Sequence, residues 1–203
     1  MTLQEQFTEL LKGMNEKDFT YSKYNKFRLP MHKHTGNLDD FHVALAQESI
    51  VKFVGDLVIK EKNLSLCIVL SKFAEVYTGV EWNSEIDSEF GDLYVFEADE
   101  YGRPINIDSP VGYIDVKVSD DDYFGKLYTA TITKRSYNNF ATNGNKIYLC
   151  FTCDGRLKSF INAFHLKNYM ENNRHDPKCP LNDNLKFIKG MWLMEHLNNF
   201  SAI

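Results

Sequence analysis

Apolar residues at helical spacing predict two helices in the first third of the chain. The first covers residues 2–14, and the second runs from about residue 39 to residue 60. Between them, residues 15–37 are polar and aromatic and contain Pro30 and Gly36, which predicts an irregular arm. The apolar positions that define the two stripes are Leu3, Phe7, Leu10, Leu11 and Met14, and then Phe41, Leu45, Ile50, Phe53, Val54 and Leu57.

Further along the chain the pattern favours strands, which are predicted at 92–96, 111–119, 146–152 and 157–162. Residues 111–119 alternate cleanly. Ile114, Val116 and Val118 face one way, whereas Tyr113, Asp115 and Lys117 face the other. Residues 146–152 form a nearly continuous apolar run, KIYLCFT, which is typical of a strand buried on both faces of a sheet.

The remaining segments complete the prediction of one α/β domain over residues 1–203. They are a helical or extended segment at 64–77, a turn at 100–104, helices at 126–142 and 163–171, a polar loop at 172–186, and a short strand at 191–194 followed by a small helix. This order predicts a single mixed β-sheet flanked by helices. The domain divides into an N-terminal helix and arm (1–38), a core (39–170) and a C-terminal extension (171–203).

Composition narrows the class of protein. Hydrophobic residues make up 43% of the chain, which is enough for a packed core. No apolar run approaches the roughly 18 residues that cross a bilayer, and the acidic, amphipathic N-terminus is unlike a secretory signal, so we expect a cytoplasmic protein without a membrane partner. The four cysteines are then expected to be thiols or metal ligands rather than disulfides.

The charges are distributed unevenly. Residues 1–122 carry 23 Asp and Glu against 12 Lys and Arg, whereas residues 123–203 carry 5 against 11. The acidic part could hold divalent cations, and the basic part could bind a polyanion. The alternative is that both parts present ordinary solvated faces.

Asp115 and Lys117 are the first candidates for chemistry, because their spacing on a strand puts both side chains on one face. A carboxylate can hold Mg²⁺, and a neighbouring lysine can act on the attacking water or on a phosphate oxygen, which suits hydrolysis of phosphodiester bonds. Asp92 can supply a second carboxylate if residues 97–111 form a hairpin. The alternative is an ion pair on the surface beside a strand. The chain has no Gly-rich phosphate loop, no Gly-x-Ser-x-Gly and no His-Glu-x-x-His.

With Gly91-Asp92-Leu93-Tyr94-Val95 and Ile114-Asp115-Val116-Lys117-Val118, the chain resembles the PD-(D/E)XK nuclease superfamily over roughly residues 39–170. The resemblance implies a restriction-endonuclease-like αβββαβ core and Mg²⁺-dependent cleavage of DNA, less often RNA, with Mn²⁺ as a substitute. It implies that Asp92, Asp115 and the Val116 carbonyl bind the metal and that Lys117 acts on water or phosphate. Glu48, on the first core helix, would support the metal. The alternative for Glu48 is a carboxylate on the helix surface.

The basic second part of the chain supplies candidates for contact with nucleic acid, namely Lys134, Arg135, Arg156 and Lys158. The alternative is scattered surface charge. Since nucleases of this kind often act as dimers, a homodimer is a further expectation. The rival function is a non-catalytic module on the same fold that binds nucleic acid or a protein.

A second candidate site is built from Cys150-x-x-Cys153 and His175-x-x-x-Cys179, which have spacings used by structural zinc. This would make the chain a zinc-stabilised interaction protein. Against it, Cys150 lies within a strand predicted to be buried, where cysteine is a small apolar residue. We therefore favour ordinary thiols.

Overall fold

In a computed structural model, the described residues are 1–17, 40–71, 89–119, 132–140, 145–152, 157–184, 187–188 and 190–203. At 40–46, 118–119, 152, 158, 187, 190–191 and 194 the backbone alone is described. Residues 18–37 of the predicted arm lie outside these ranges. Across the described residues, no helix is both long and apolar enough to cross a membrane.

The chain folds as alternating groups of helices and strands. The helices are α1 (Leu3–Glu16), α2 (Asp40–Glu61), α3 (Lys134–Phe140), α4 (Ala163–Asn172) and α5 (Gly190–His196), with 3-10 turns at Pro180–Asn182 and Leu197–Asn199. The strands are β1 (Leu66–Leu70), β2 (Leu93–Glu97), β3 (Gly112–Ser119), β4 (Ile132–Thr133), β5 (Lys146–Thr152), β6 (Leu157–Asn162) and β7 (Phe187–Ile188).

Five of the strands form one mixed sheet in the order β1-β2-β3-β5-β6. The pairs β1–β2, β2–β3 and β5–β6 are antiparallel, whereas β3 and β5 are parallel. A parallel pair needs a long connection between its two strands, and here the connection from β3 to β5 is the segment that contains α3. The strands β4 and β7 form a separate antiparallel pair.

Each face of the sheet is covered by a layer of helices. On one face, which we call the apolar face, α1 and α2 pack against alternate strand residues such as Ile114, Val116 and Leu149. On the other, the α3 face, the helices α3, α4 and α5 pack over residues such as Tyr148 and Cys150. The strand β5 thus contributes to both cores, which explains its continuous apolar sequence.

Most of the predicted elements are confirmed to within a few residues, including α1, α2, β2, β3, β5, β6 and α4. The segment predicted as helical or extended at 64–77 contains β1, a strand whose Leu66 and Ile68 are buried. In the region predicted as a helix at 126–142, the described part is the short strand β4 followed by α3.

The C-terminal prediction was wrong. Residues 191–194 belong to α5 rather than to a strand, and the strand β7 just before them was not predicted. Trp192 and Leu193 are adjacent apolar residues, and so short an apolar segment fits a short helix as well as a short strand. Packing decides between them, because both side chains are buried in the core of the α3 face.

Candidate active site

The strand β3 presents Asp115 and Lys117 on the α3 face of the sheet, as the alternation predicts. Asp115 is 6% exposed, and its Oδ2 lies 2.8 Å from Lys117 Nζ. The pair is therefore a largely buried ion pair rather than a surface one. Burying a carboxylate is costly unless an opposite charge and hydrogen bonds compensate, so the surroundings of Asp115 are informative.

Asp92 lies directly beside this pair. It immediately precedes β2, whose register with β3 starts at Leu93 opposite Ile114. The backbone N–H of Asp92 donates to the Ile114 carbonyl at 2.9 Å, and its Oδ2 accepts the N–H of Val116 at 2.6 Å. Asp92 thus contacts the backbone on both sides of Asp115, through its own N–H and through its carboxylate, and the hairpin between β2 and β3 brings the two acidic residues together.

Gly91 sets the path of the chain into Asp92. Its φ is +80°, a backbone conformation that residues other than glycine rarely adopt. A Cβ at this position would lie 2.9 Å from the Ile114 carbonyl oxygen, 2.9 Å from Phe140 Cε2 and 3.0 Å from Asp115 Cβ. Glycine therefore permits both the turn and the close approach of Asp92 to β3.

Ser136 and Tyr148 complete the surroundings of Asp115, and the sequence analysis did not select either. The Ser136 hydroxyl donates to Asp115 Oδ2 at 3.0 Å and lies 3.2 Å from the Tyr148 hydroxyl. Tyr148 is fully buried, and burial together with the charge of Asp115 raises its pKa well above the ordinary value. Ser136 is placed by the start of α3, where its N–H donates to the Thr133 hydroxyl. The sequence pattern did not indicate a role for either residue; it showed only that Tyr148 lies in the apolar run of β5.

Lys146 is a second buried ammonium group, also not selected from sequence. It is 1% exposed, opposite Tyr113 in the register, and its Nζ donates to the Glu89 carbonyl at 2.5 Å. The rings of Phe90, Tyr113 and Phe140 lie 4.9, 5.5 and 5.5 Å from Nζ. Lys146 thereby ties the turn that precedes Asp92 to the sheet through cation–π and hydrogen-bond contacts.

Glu48 is not on the helix surface, so the favoured alternative from sequence was wrong for this residue. It is 5% exposed and continues the buried stripe of Val51, Val54 and Val58 along α2. The helix α2 contacts β1 and β3 from the apolar face, whereas Asp115 points to the α3 face. A role for Glu48 at the metal therefore requires its carboxylate to reach past the end of β2.

The oxygen atoms beside Asp115 are ligands of the kind that hard cations prefer. In a strand the N–H and C=O of one residue point to the same side, so the Val116 carbonyl, like its N–H, points toward Asp92. Among the described residues no group of three or more His, Cys, Asp or Glu surrounds a common point. Mg²⁺ needs no such group, because it is commonly bound by one or two carboxylates, with water and substrate phosphates completing its shell.

The predicted contacts to nucleic acid are partly described. Lys134 and Arg135 open α3, next to Ser136, and Lys134 Nζ donates to the Asp183 carbonyl. Arg135 is exposed. Arg156 and the side chain of Lys158 lie outside the described residues. The exposed Arg135 thus immediately precedes Ser136, whose hydroxyl contacts Asp115.

The candidate zinc ligands show the environment of thiols in a core. Cys150 and Cys179 are buried in the core of the α3 face, and Cys179 Sγ donates to the Met170 carbonyl at 3.5 Å. Burial raises the pKa of Cys150 to about 11, which opposes the thiolate that zinc requires. His175 is exposed, and Cys153 lies outside the described residues. This arrangement favours ordinary thiols.

Two carboxylates, an ammonium group and two hydroxyls thus lie near the start of β2. At this point the neighbouring strand β3 extends past the first residue of β2. Comparisons of the chain with known protein families, curated proteins and solved structures find no match. The function of this cluster is accordingly interpreted from its own residues.

Proposed function

We propose that the chain is a Mg²⁺-dependent nuclease that hydrolyses phosphodiester bonds in DNA. The observation that carries the proposal is the junction of β2 and β3, where Asp92 is bonded to the Val116 N–H and Asp115 is paired with Lys117. Two acidic residues that are distant in sequence are held together with a lysine in a largely buried cluster, which is the arrangement that metal-assisted phosphoryl chemistry requires.

The order of elements supports the finer fold assignment, a restriction-endonuclease-like core. From α2 onward the chain runs helix, three strands, helix and strand, which is the αβββαβ order that the sequence resemblance implied, with the short β4 added before α3. In this order Asp92 immediately precedes the second strand of the core, and Asp115 and Lys117 lie in the third. These positions support the resemblance.

In the proposed site, Asp92, Asp115 and the Val116 carbonyl hold the cation, and Glu48 supports it from α2. A bound Mg²⁺ neutralises charge on the phosphate and lowers the pKa of a bound water. The chain itself positions the two carboxylates through the Val116 N–H and Ser136. Lys117, at 23% side-chain exposure, is partly open to solvent, so its ammonium group can bind a phosphate oxygen or orient the water.

The second candidate function is a non-catalytic binding module, and one observation favours it. Lys117 already neutralises Asp115 at 2.8 Å, which is what a purely structural ion pair would show. The closeness of Asp92 to Asp115 argues the other way, because a structural pair has no need of a second carboxylate. We therefore place the nuclease first.

The test is cleavage of mixed DNA and RNA substrates in Mg²⁺ or Mn²⁺ by the wild type, Asp115→Ala and Lys117→Ala. The matched control is Lys178→Ala, because Asp176-Pro177-Lys178 repeats the Asp-x-Lys spacing in an exposed turn where the N–H of Lys178 donates to Asp176. Urea unfolding of each variant confirms that it is folded.

Cleavage that both substitutions in β3 abolish and the control retains would establish the nuclease. If instead no substrate is cut and calorimetry detects no Mn²⁺ binding that depends on Asp115, catalysis is excluded. Binding of DNA without cleavage would then identify the module.

A further inference from the structure

The contacts of Asp115 define a chain of hydrogen bonds that reaches into the core. A carboxylate only accepts, so the single hydroxyl proton of Ser136 is donated to Asp115 Oδ2. Since Ser136 then has no proton left to give, the Tyr148 hydroxyl donates to Ser136 Oγ. The order of donation is therefore fixed as Tyr148 to Ser136 to Asp115.

We propose that Ser136 and Tyr148 are positioning residues that orient the Asp115 carboxylate for a divalent cation. This inference rests on the proposed function, because it names the residues that prepare the same site. Lys117 and Ser136 both contact Oδ2, so two donors fix the plane of the carboxylate and direct Oδ1 away from them. The Tyr148 hydroxyl is hydrogen-bonded to Ser136 and therefore acts on the Asp115 carboxylate through Ser136.

The rigidity of the chain comes from its burial. Asp115, Ser136 and Tyr148 are 6, 7 and 0% exposed, so water does not compete for their hydrogen bonds. They come from three elements, β3, α3 and β5, and Asp115 lies opposite Tyr148 in the β3–β5 register. Groups that hydrogen-bond metal ligands in this manner set the ligand's orientation, and their loss weakens metal binding about 10- to 100-fold.

A matched pair of tyrosines makes the inference testable. Tyr137 is a buried tyrosine on α3 in the same core as Tyr148, and its hydroxyl faces Glu171 and takes no part in the hydrogen bonds that lead from Tyr148 to Asp115. Tyr137→Phe and Tyr148→Phe therefore remove the same atom from the same core, and only the second shortens the chain to Asp115.

The experiment titrates Mn²⁺ into the full-length chain by calorimetry. Ser136→Ala is expected to weaken binding about tenfold, Tyr148→Phe to weaken it by a smaller factor, and Tyr137→Phe to leave it unchanged. Ser136→Thr, which keeps the hydroxyl, restores most of the affinity. If Tyr148→Phe binds Mn²⁺ like Tyr137→Phe, and Ser136→Thr binds no better than Ser136→Ala, the inference is overturned.

A second measurement separates this inference from the proposed function. A double-mutant cycle of Tyr148→Phe and Ser136→Ala, read from urea unfolding without metal, reports whether the two residues are coupled. Effects that are not additive support the chain of hydrogen bonds. If the wild type nevertheless binds no Mn²⁺, the proposed function fails, and the orientation of Asp115 for a cation fails with it, whereas the chain of hydrogen bonds stands. Additive effects overturn the chain itself.

Discussion

The two faces of the sheet differ in what their strands bury. On the apolar face, Ile114 and Val116 of β3 pack against α1 and α2 without needing a polar partner. On the α3 face the same strand presents Asp115, which is buried, and Lys117, which is partly buried, and both have specific partners. One strand thus contributes apolar packing to one side and charged groups to the other.

This difference teaches where to look for function. Burying Asp115 and Lys146, and partly burying Lys117, costs free energy that apolar side chains of similar volume would not cost. Ionisable groups that are buried together in this way are more frequent at functional sites, which is why the proposed site lies on this face. The comparison predicts that substitutions on the two faces will affect different properties.

The largest effect on stability is expected from the apolar face. Leu10→Ala in α1 removes a fully buried side chain from that core, and we expect a loss of about 4 kcal/mol in the free energy of unfolding. The measurement is urea unfolding. Mn²⁺ affinity at low urea should equal that of the wild type, and a large loss of affinity in the folded variant would contradict the separation of the two faces.

The next effect is expected at the turn before Asp92. Gly91→Ala combines a strained φ of +80° with contacts of about 3 Å to the Ile114 carbonyl and Asp115 Cβ, so it should cost about 3 kcal/mol and displace Asp92. Gly102→Ala is the matched control. Its φ is +74° and nothing lies within 4 Å of the added Cβ, so about 1 kcal/mol is expected, with metal binding intact. Equal costs at the two glycines would show that φ alone matters.

These two glycines also show how far sequence reasoning reached. The turn around Gly102 was predicted, and so was the hairpin that brings Asp92 to Asp115, because both follow from local alternation and turn residues. From sequence, Gly91 was recognised only as one residue of the motif that contains Asp92. Its role depends on Phe140, which is 49 positions away, and such a contact leaves no local pattern.

Ser136, Tyr148 and Lys146 were not predicted for the same reason. Tyr148 and Lys146 belong to the strand KIYLCFT, whose apolar run indicates burial but not which buried hydroxyl or amine meets a carboxylate. The alternative that Glu48 lies on the helix surface followed from the usual exposure of carboxylates on helices, and it was wrong because this one is buried. Its role at a metal stays a prediction. A strand was predicted where α5 lies, and β7 was missed, because two or three apolar residues are too few to show a helical or a strand periodicity.

A third effect is expected from the ion pair. Lys117→Met leaves the buried Asp115 without its ammonium partner, and we expect a loss of about 2 kcal/mol, which allows for the partial exposure of Lys117. Combining it with Asp115→Leu should cost less than the sum of the two single changes, because no unpaired charge then remains. Urea unfolding of the four proteins in the cycle measures this. Strict additivity would show that the pair is not coupled.

The smallest effect is a dependence of stability on pH that comes from Lys146. Burial lowers the pKa of this ammonium group below the ordinary 10.5, and the Glu89 carboxylate partly opposes the shift. Between the folded and the unfolded pKa, the unfolded chain therefore binds more protons, so this group makes the folded state more stable as the pH rises toward 10.5.

Lys146→Met removes that dependence, whereas Lys178→Met, at an exposed lysine, serves as the control. The free energy of unfolding of the wild type relative to Lys146→Met should therefore increase as the pH is raised from neutrality toward 10.5. Lys178→Met keeps Lys146, so this control should show the same increase relative to Lys146→Met as the wild type does. A difference that stays constant, or falls, would mean that the cage of Phe90, Tyr113 and Phe140 compensates the ammonium group fully. In that case Lys146 would be a structural clamp on the turn before Asp92, and the cost of the charged groups on the α3 face would rest on Asp115 and Lys117 alone.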